Sequence, residues 1–432
     1  KNEIAAMRKI PGKGHQEMIT IFNPEEQQWP IKVWLENEEQ IGEDCLQQAK
    51  NLSNLPFLHQ WVVLMPDTHS GYGMPIGGVI AAEKVIIPNA VGVDIGCGMS
   101  FVQTNVPVER LIEIETSNGK LAQAIAGDIL RNIPTGFEHH KKKQQCESVA
   151  RFLDGLTPEE KETMPQELMK ELDGAAYQVG TLGGGNHFIE LQTDDQGKLG
   201  IMLHSGSRNL GFKICHYFND LATEVNRKDQ SPVPPEWDLA YFSTDSDLGK
   251  LYLRWMKLAM DFAEENRNQM MEKVLDIVRL WVKKYAGINH VNLSDAVHCH
   301  HNYAALEEHY GKQVWVHRKG AIRAGTGEMG IIPGAMGTYS YLVKGKGNPE
   351  SFQSCSHGAG RRMSRLDARE QFSVQDTILD LRALGVFLAK AKRTYVGTES
   401  RFAYKAIDFV LSQELDLVEP VRRLKTVAVV KG

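Results

Sequence analysis

The sequence is poor in several features, and each shortage removes a class of protein. Six cysteines are scattered over 432 residues with no CxxC pair, which excludes a disulfide framework and favours a reducing compartment, the cytoplasm. No window approaches the roughly 20 apolar residues needed to cross a bilayer. The opening Lys1–Lys9 is mixed in charge, with no apolar run, so no membrane association is expected. Because the chain starts at Lys1 and not Met, the terminus carries no weight in this reading. An excess of basic charge is missing as well. Forty-nine Lys and Arg stand against 54 Asp and Glu, for a formal net charge of −5, which excludes a basic protein that coats nucleic acid. There is no internal repeat, no low-complexity segment and no Walker-type Gly-Lys-Ser/Thr, so the common nucleotide-binding folds are disfavoured.

What is present is an ordinary globular composition, 42% apolar and 24% charged, enough to bury a large core. Apolar residues near the 3.6 period (Leu251, Trp255, Leu258, Phe262, Met270, Val274, Ile277, Trp281) predict a long helix from Leu248 to Tyr285, read as scaffold. Shorter helices are expected over 108–132, 159–172, 374–392 and 403–411. Apolar runs at 60–65, 78–82, 200–203, 314–317 and 426–430 read as strands. Helices and strands do not alternate strictly, so the expected class is α+β, mixed sheets with surrounding helices. The Pro-rich Ser231–Trp237 stretch marks an inserted, largely helical region around 231–285 within a single catalytic domain spanning 1–432.

Chemistry concentrates in glycine-rich turns that mostly follow apolar runs: Met65-Pro-Asp-Thr-His-Ser-Gly, Val93-Asp-Ile-Gly-Cys-Gly, Gly183-Gly-Gly-Asn-His-Phe-Ile-Glu, Leu203-His-Ser-Gly-Ser-Arg, His298-Cys-His-His-Asn-Tyr and Cys355-Ser-His-Gly-Ala-Gly-Arg-Arg. Asp94, Cys97, His187, His204 and His301 offer carboxylate, thiolate and imidazole, which suits a transition metal better than Mg²⁺ or Ca²⁺. Any one of these histidines alone reads as a hydrogen-bonded structural residue. Together the donors outnumber a single zinc site, and a thiolate can bridge two ions, so a dinuclear centre is the natural extrapolation. Ligand chemistry leaves the metal unnamed. His357, followed by Arg361, Arg362 and Arg365, reads equally as a nucleophile toward phosphorus or as a sixth metal ligand. The Gly183–Asn186 turn is a weak candidate phosphate cradle.

In this order, and with the terminal Val-Lys-Gly, the motifs resemble the RtcB family of RNA ligases over Leu55–Gly432, while Lys1–Asn54 adds little. The resemblance implies an RtcB-like fold with its metal site in a central cleft. It implies a GTP- and Mn²⁺-dependent enzyme of RNA repair and tRNA processing, which joins RNA ending in a 2′,3′-cyclic phosphate or 3′-phosphate to RNA with a 5′-hydroxyl. It further implies that Cys97 bridges two Mn²⁺ ions, one also held by His204 and His301, the other by Asp94 and His187. His357 would be guanylylated, Asn186 would contact the nucleotide phosphate, and Glu190, Ser340, Tyr404 and Lys431 would line the guanine pocket. Asp67 falls in the family's Asp-x-His-x-Gly turn, with no role assigned. An archease-type activator is an expected partner.

One departure stands out. Ala335 sits in Pro-Gly-Ala-Met-Gly where the family usually has Ser, which removes a hydroxyl worth about 1 kcal/mol as an ordinary hydrogen bond. Because the net charge is negative, RNA binding is expected at a local basic rim. Candidates are Arg208, Lys319, the Arg361/Arg362/Arg365 group, the run His139–Lys143, Lys344 and Lys346. The competing readings are a dinuclear phosphoesterase that only opens cyclic phosphates and a non-catalytic RNA-end or nucleotide binder.

Overall fold

The computed structural model describes residues 18–432; the mixed-charge opening Lys1–Lys9 lies outside them. Two sheets organise the chain. The first has six strands in the order Ile19–Ile21, Ile31–Val33, Leu58–His69, Ile76–Ala82, Lys312–Lys319, Asn302–His309. The second has eight. Its main path is Leu293–His300, Gly98–Pro107, Lys198–Ser205, Phe188–Thr193, Val418–Lys431, Tyr339–Gly345 and Met329–Ile332, with Phe387–Ala389 pairing in parallel on Val418–Lys431. The class is α+β. Every apolar run read as a strand lies inside one of these strands.

The long helix spans Asp247–Ala286. The Ser246 side chain accepts from the Gly249 N–H at its start, and Gly287 ends it in the left-handed conformation at φ +69°, a conformation that costs glycine little. Trp255, Leu258, Phe262, Met270, Val274 and Ile277 are buried, as their period requires, while Leu251 and Trp281 are half-buried. Each fully buried large side chain contributes about 2 kcal/mol. The helix also buries two polar residues, Asn266 and Arg267, whose purpose is seen at the site below.

Two helical expectations are subdivided and a third is shortened. The 108–132 region breaks into Val108–Glu113 and Leu121–Asn132 around a small hairpin, and 159–172 becomes Pro158–Thr163 and Gln166–Gln178. In the second case Pro165 lacks the N–H that would carry one helix through. The 374–392 helix stops at Ala383, and Phe387–Ala389 pairs with the last strand instead. Its amphipathic pattern is real, but Gly385 at φ +73° turns the chain into the sheet. Among the described residues no helix is long and apolar enough to cross a membrane.

Candidate active site

The motif turns sit at strand ends where the two sheets meet. Cys97 immediately precedes Gly98–Pro107, His204 lies near the end of Lys198–Ser205, and His187 immediately precedes Phe188–Thr193. His301 is the single residue between Leu293–His300 of one sheet and Asn302–His309 of the other. Register does the rest. His204 pairs with Phe188, and Phe188 with Lys431, in one row across three strands, while Glu190 opposite Val429 continues the same face. A strand alternates its faces, so Phe188, Glu190, Val429 and Lys431 share one side, and all four line a cleft of about 450 Å³. Asp94, Asn186, His204, His301, His357 and Tyr404 line the same cleft. Cys97 and His187 lie behind its wall, touching residues that line it. Ser340 is one layer back, its hydroxyl accepting from the Gly334 N–H at 3.2 Å.

Two donor groups share the Cys97 sulfur. In each, Cys97/His204/His301 and Asp94/Cys97/His187, the candidate ligand atoms all lie within 4.8 Å of one another. The Cys97 Sγ is 3.3 Å from Nε2 of both His187 and His204. His204 and His301 turn their Nε2 atoms toward each other at 3.0 Å, and Asp94 Oδ2 is 3.2 Å from His187 Nε2. Two nitrogens bound to one ion at about 2.1 Å would be roughly 3.3 Å apart, close to this spacing. Gly183 permits the packing, since a Cβ there would meet His187 Nδ1 at 2.0 Å.

Protonation supports the fit of a cation. Burial, and then the neighbouring imidazoles, hold His204 and His301 well below the usual histidine range, so both are neutral and carry a free lone pair. Burial, and then Asp94, push the Cys97 thiol well above its usual range. Burial opposes ionisation of Asp94 too, but His187 and the Ser207 N–H overcome it and lower its pKa. A dication among these groups would find its imidazoles ready and would supply the charge a thiolate needs. His187 Nδ1 is buried with no hydrogen-bond partner among the described residues.

The long helix braces these turns. Arg267 donates to the carbonyls of Gly96, at 2.9 Å, and Ser205, at 3.0 Å, each adjacent to a donor residue. Asn266 donates to the Gly206 carbonyl at 3.0 Å and accepts from the Thr181 N–H at 2.9 Å. Sequence reading took the helix as scaffold and missed this pair. A charged residue interrupting an otherwise apolar face was the available signal.

His357 follows the short strand Ser354–Ser356 and belongs to neither donor group. Asp67, fully buried, faces it: one carboxylate oxygen takes the His357 backbone N–H at 3.2 Å and lies 2.6 Å from Nδ1. This contact favours a proton on Nδ1 and leaves Nε2 as the free lone pair. Gly360, at φ +69°, makes the approach possible, because a Cβ there would meet the Asp67 carbonyl at 2.1 Å.

A second carboxylate, Glu399, escaped the sequence reading altogether. It is 6% exposed and lines the cleft. Tyr404 donates its hydroxyl to Oε2 at 2.5 Å, and Lys431 Nζ is 3.7 Å from the same oxygen. Among the described residues Oε1 faces Arg361 and Arg365, each at 3.5 Å, and has no hydrogen-bond partner. Burial opposes its charge, but Lys431 and Arg365 keep its pKa below the ordinary value. Glu190, by contrast, is pushed up to about 7 by burial, against the pull of Gln192, Thr426 and Lys431. Of the candidate RNA-binding cations, Lys319 spends its ammonium on the Tyr72 and Asn89 carbonyls, at 2.6 and 2.9 Å. Arg208 is tied to Thr181 and the Gly136 carbonyl, and Lys346 to the Leu415 carbonyl. Arg362 and Arg365 are exposed.

The sequence profile described as "tRNA-splicing ligase RtcB" matches residues 48–432. The chain belongs to the RtcB family. This RtcB chain is 39% identical to the RNA-splicing ligase RtcB of Escherichia coli K12 over 96% of its own length and 99% of the relative's. It is 32% identical to the tRNA-splicing ligase RtcB of Nanoarchaeum equitans, covering 93% and 95% of the two chains, and 30% identical to that of Thermococcus kodakarensis at the same coverage.

Proposed function

We propose that this RtcB-family RNA ligase works through a covalent histidine–GMP intermediate, joining 2′,3′-cyclic phosphate or 3′-phosphate ends to 5′-hydroxyl ends. The observation that carries the reading is the His357–Asp67 contact: an imidazole with Nδ1 held by a buried carboxylate and Nε2 free in the cleft. Nε2 attacks the α-phosphorus of GTP, a P–N bond forms and pyrophosphate leaves, while Asp67 offsets the positive charge that develops on the ring. Water opens the cyclic phosphate. GMP then passes from His357 to the RNA 3′-phosphate, and the 5′-hydroxyl displaces it to seal the strand.

In this reading Cys97, His204 and His301 would hold one Mn²⁺ and Cys97, Asp94 and His187 a second in a central cleft, where the ions would neutralise phosphate oxygens as Lewis acids. Asn186 contacts the nucleotide phosphate. Glu190 accepts from guanine N1 and N2, Lys431 donates to O6, and Tyr404 and Ser340 complete the pocket. The register that delivers Lys431 beside Phe188 and Glu190 supports this assignment. Residues 1–432 act as one catalytic domain, with the 231–285 region an insert whose helix braces the donor turns. The six free thiols fit a reducing, cytoplasmic setting.

The test is covalent labelling. Incubation with Mn²⁺ and labelled GTP should leave acid-labile, base-stable label on wild-type protein and none on His357→Ala, which should still bind two metal ions. Cyclic-phosphate opening with no label and no joining would instead favour the phosphoesterase. The assay is run with and without an archease-type activator, the partner expected of the family.

A further inference from the structure

The loop that carries the His139–Lys143 run is held at both ends. Thr135 forms a parallel bridge with Leu182. The Gly136 N–H donates to the Leu182 carbonyl at 2.9 Å, and the Leu182 N–H to the Pro134 carbonyl at 2.9 Å. Beyond the run's start, His140 N–H reaches the Tyr177 carbonyl at 2.9 Å and Gln144 N–H the Ala176 carbonyl at 2.8 Å. Arg208, from the turn after His204, donates to the Gly136 carbonyl and to the Thr181 hydroxyl. These bonds seat Gly136 against the Gly183–Asn186 turn and the C-terminus. A Cβ built on Gly184 would lie 3.9 Å from the Gly136 Cα, and one on Gly136 would lie 3.8 Å from the Gly432 carbonyl carbon.

The next side chain is Phe137, the most exposed large apolar residue among those described. A phenyl ring left wholly in water forgoes the stabilisation that burial would give it, yet the backbone beneath it is fixed. Lys141 and Lys142, a few residues on, are exposed, and Lys143 pairs with Asp173. An exposed aromatic ring on the same loop as a short run of exposed lysines is the chemistry that binds unpaired nucleotides: the ring stacks a base and the ammonium groups follow the phosphates.

We propose that Phe137 stacks one unpaired base of the RNA substrate while Lys141 and Lys142 hold neighbouring phosphates, laying a single-stranded end at the rim of the cleft. The flanking residues, Gly136, Glu138 and His139, are not apolar, which suits one flat base and not burial in a protein interface. Such a track also reconciles a net charge of −5 with a nucleic-acid substrate. The inference rests on the RNA-ligase reading but on none of the nucleotide chemistry.

The test uses the whole protein and RNA ends carrying an abasic nucleotide at successive positions from the joint. Phe137→Ala should raise KM for intact RNA about tenfold with little change in kcat, the loss expected for one stacked base. Phe137→Trp should restore the wild-type KM and Phe137→Leu should not. At one position the abasic nucleotide should raise the wild-type KM by the same factor and leave Phe137→Ala no further loss. Lys141→Ala with Lys142→Ala should weaken all ends alike and flatten the salt dependence, by about 0.7 in log–log slope per phosphate contact removed. Equal KM values for wild type and Phe137→Ala overturn the proposal. So does a Phe137→Ala loss that persists undiminished at every abasic position, or one seen only with a protein activator present. A wild-type protein that joins no RNA at all would sink the ligase reading first.

Discussion

The two walls of the cleft carry their charge in opposite ways. On one wall, at turns and strand ends, Asp94, Cys97, His187, His204 and His301 face one another with their lone pairs converging. On the other wall Glu399 is faced by Arg361, Arg365 and the Tyr404 hydroxyl, and Lys431 reaches it from the last strand of the eight-stranded sheet, so that positive charge is in excess. The first arrangement suits a cation. The second can accept an anion, because each cation held by Glu399 can exchange part of that contact for a phosphate oxygen. The walls also differ in support. The donor turns hang from sheet strands and are clamped by Asn266 and Arg267, whereas Arg361, Arg365 and Glu399 stand on turns and short helices.

Removing the shared atom of the donor wall should have the largest effect. Cys97→Ser replaces the thiol with a far less acidic hydroxyl, so metal occupancy, followed by titration, and ligation should fall together. Full ligation at modest Mn²⁺ would show that no bridging thiolate is needed and that the walls differ less than argued.

Arg267→Met tests whether the clamp matters. It strips the charged donor from the Gly96 and Ser205 carbonyls and should lower unfolding stability by about 2–3 kcal/mol. Metal affinity should drop with it, although Arg267 is no candidate ligand. Unchanged metal affinity in a destabilised protein would reduce the clamp to ordinary packing.

The charge-rich wall, with Lys431 and Glu190 on the strands beside it, is probed through nucleotide choice. On the proposed assignment Glu190 must be ionised to accept two guanine donors, and burial pushes its carboxyl up to about 7, so it is protonated below that pH and charged above it. GTP labelling of the wild type should therefore rise between about pH 6 and pH 8, read as label per protein across a pH series. Glu190→Gln should flatten that rise. Lys431→Ala should narrow the GTP/ATP labelling ratio by on the order of tenfold or more, because adenine presents a donor where guanine has its acceptor. Metal content should not change in either variant, and an altered content would mean that the two walls cannot be treated separately.

The smallest effect is expected at Ala335, which lines the cleft at 8% exposure. Ala335→Ser should leave the GTP/ATP ratio equal or raise it, by no more than the roughly 1 kcal/mol of one hydrogen bond. A lower ratio would place the turn away from the nucleotide.

Much of this was legible in the sequence, and the division has a physical basis. Local chemistry fixed the α+β class, the long helix and the strand cores, because periodicity and turn residues act within a few positions of themselves. The motif turns likewise revealed their donors, since thiol, imidazole and carboxylate declare their chemistry wherever they fall. Long-range pairing decided the remainder. That the Cys97 sulfur belongs to two donor groups, that Asp67 meets His357 across 290 positions, and that a penultimate lysine is a buried strand residue beside Phe188 all depend on which strand ends become neighbours. Glu399 shows the limit most clearly. Nothing in Gly397-Thr-Glu-Ser distinguishes it from a surface acid, and only the folded chain surrounds it with three cations and a phenol, since burial of a carboxylate is tolerated only where partners from distant segments arrive together.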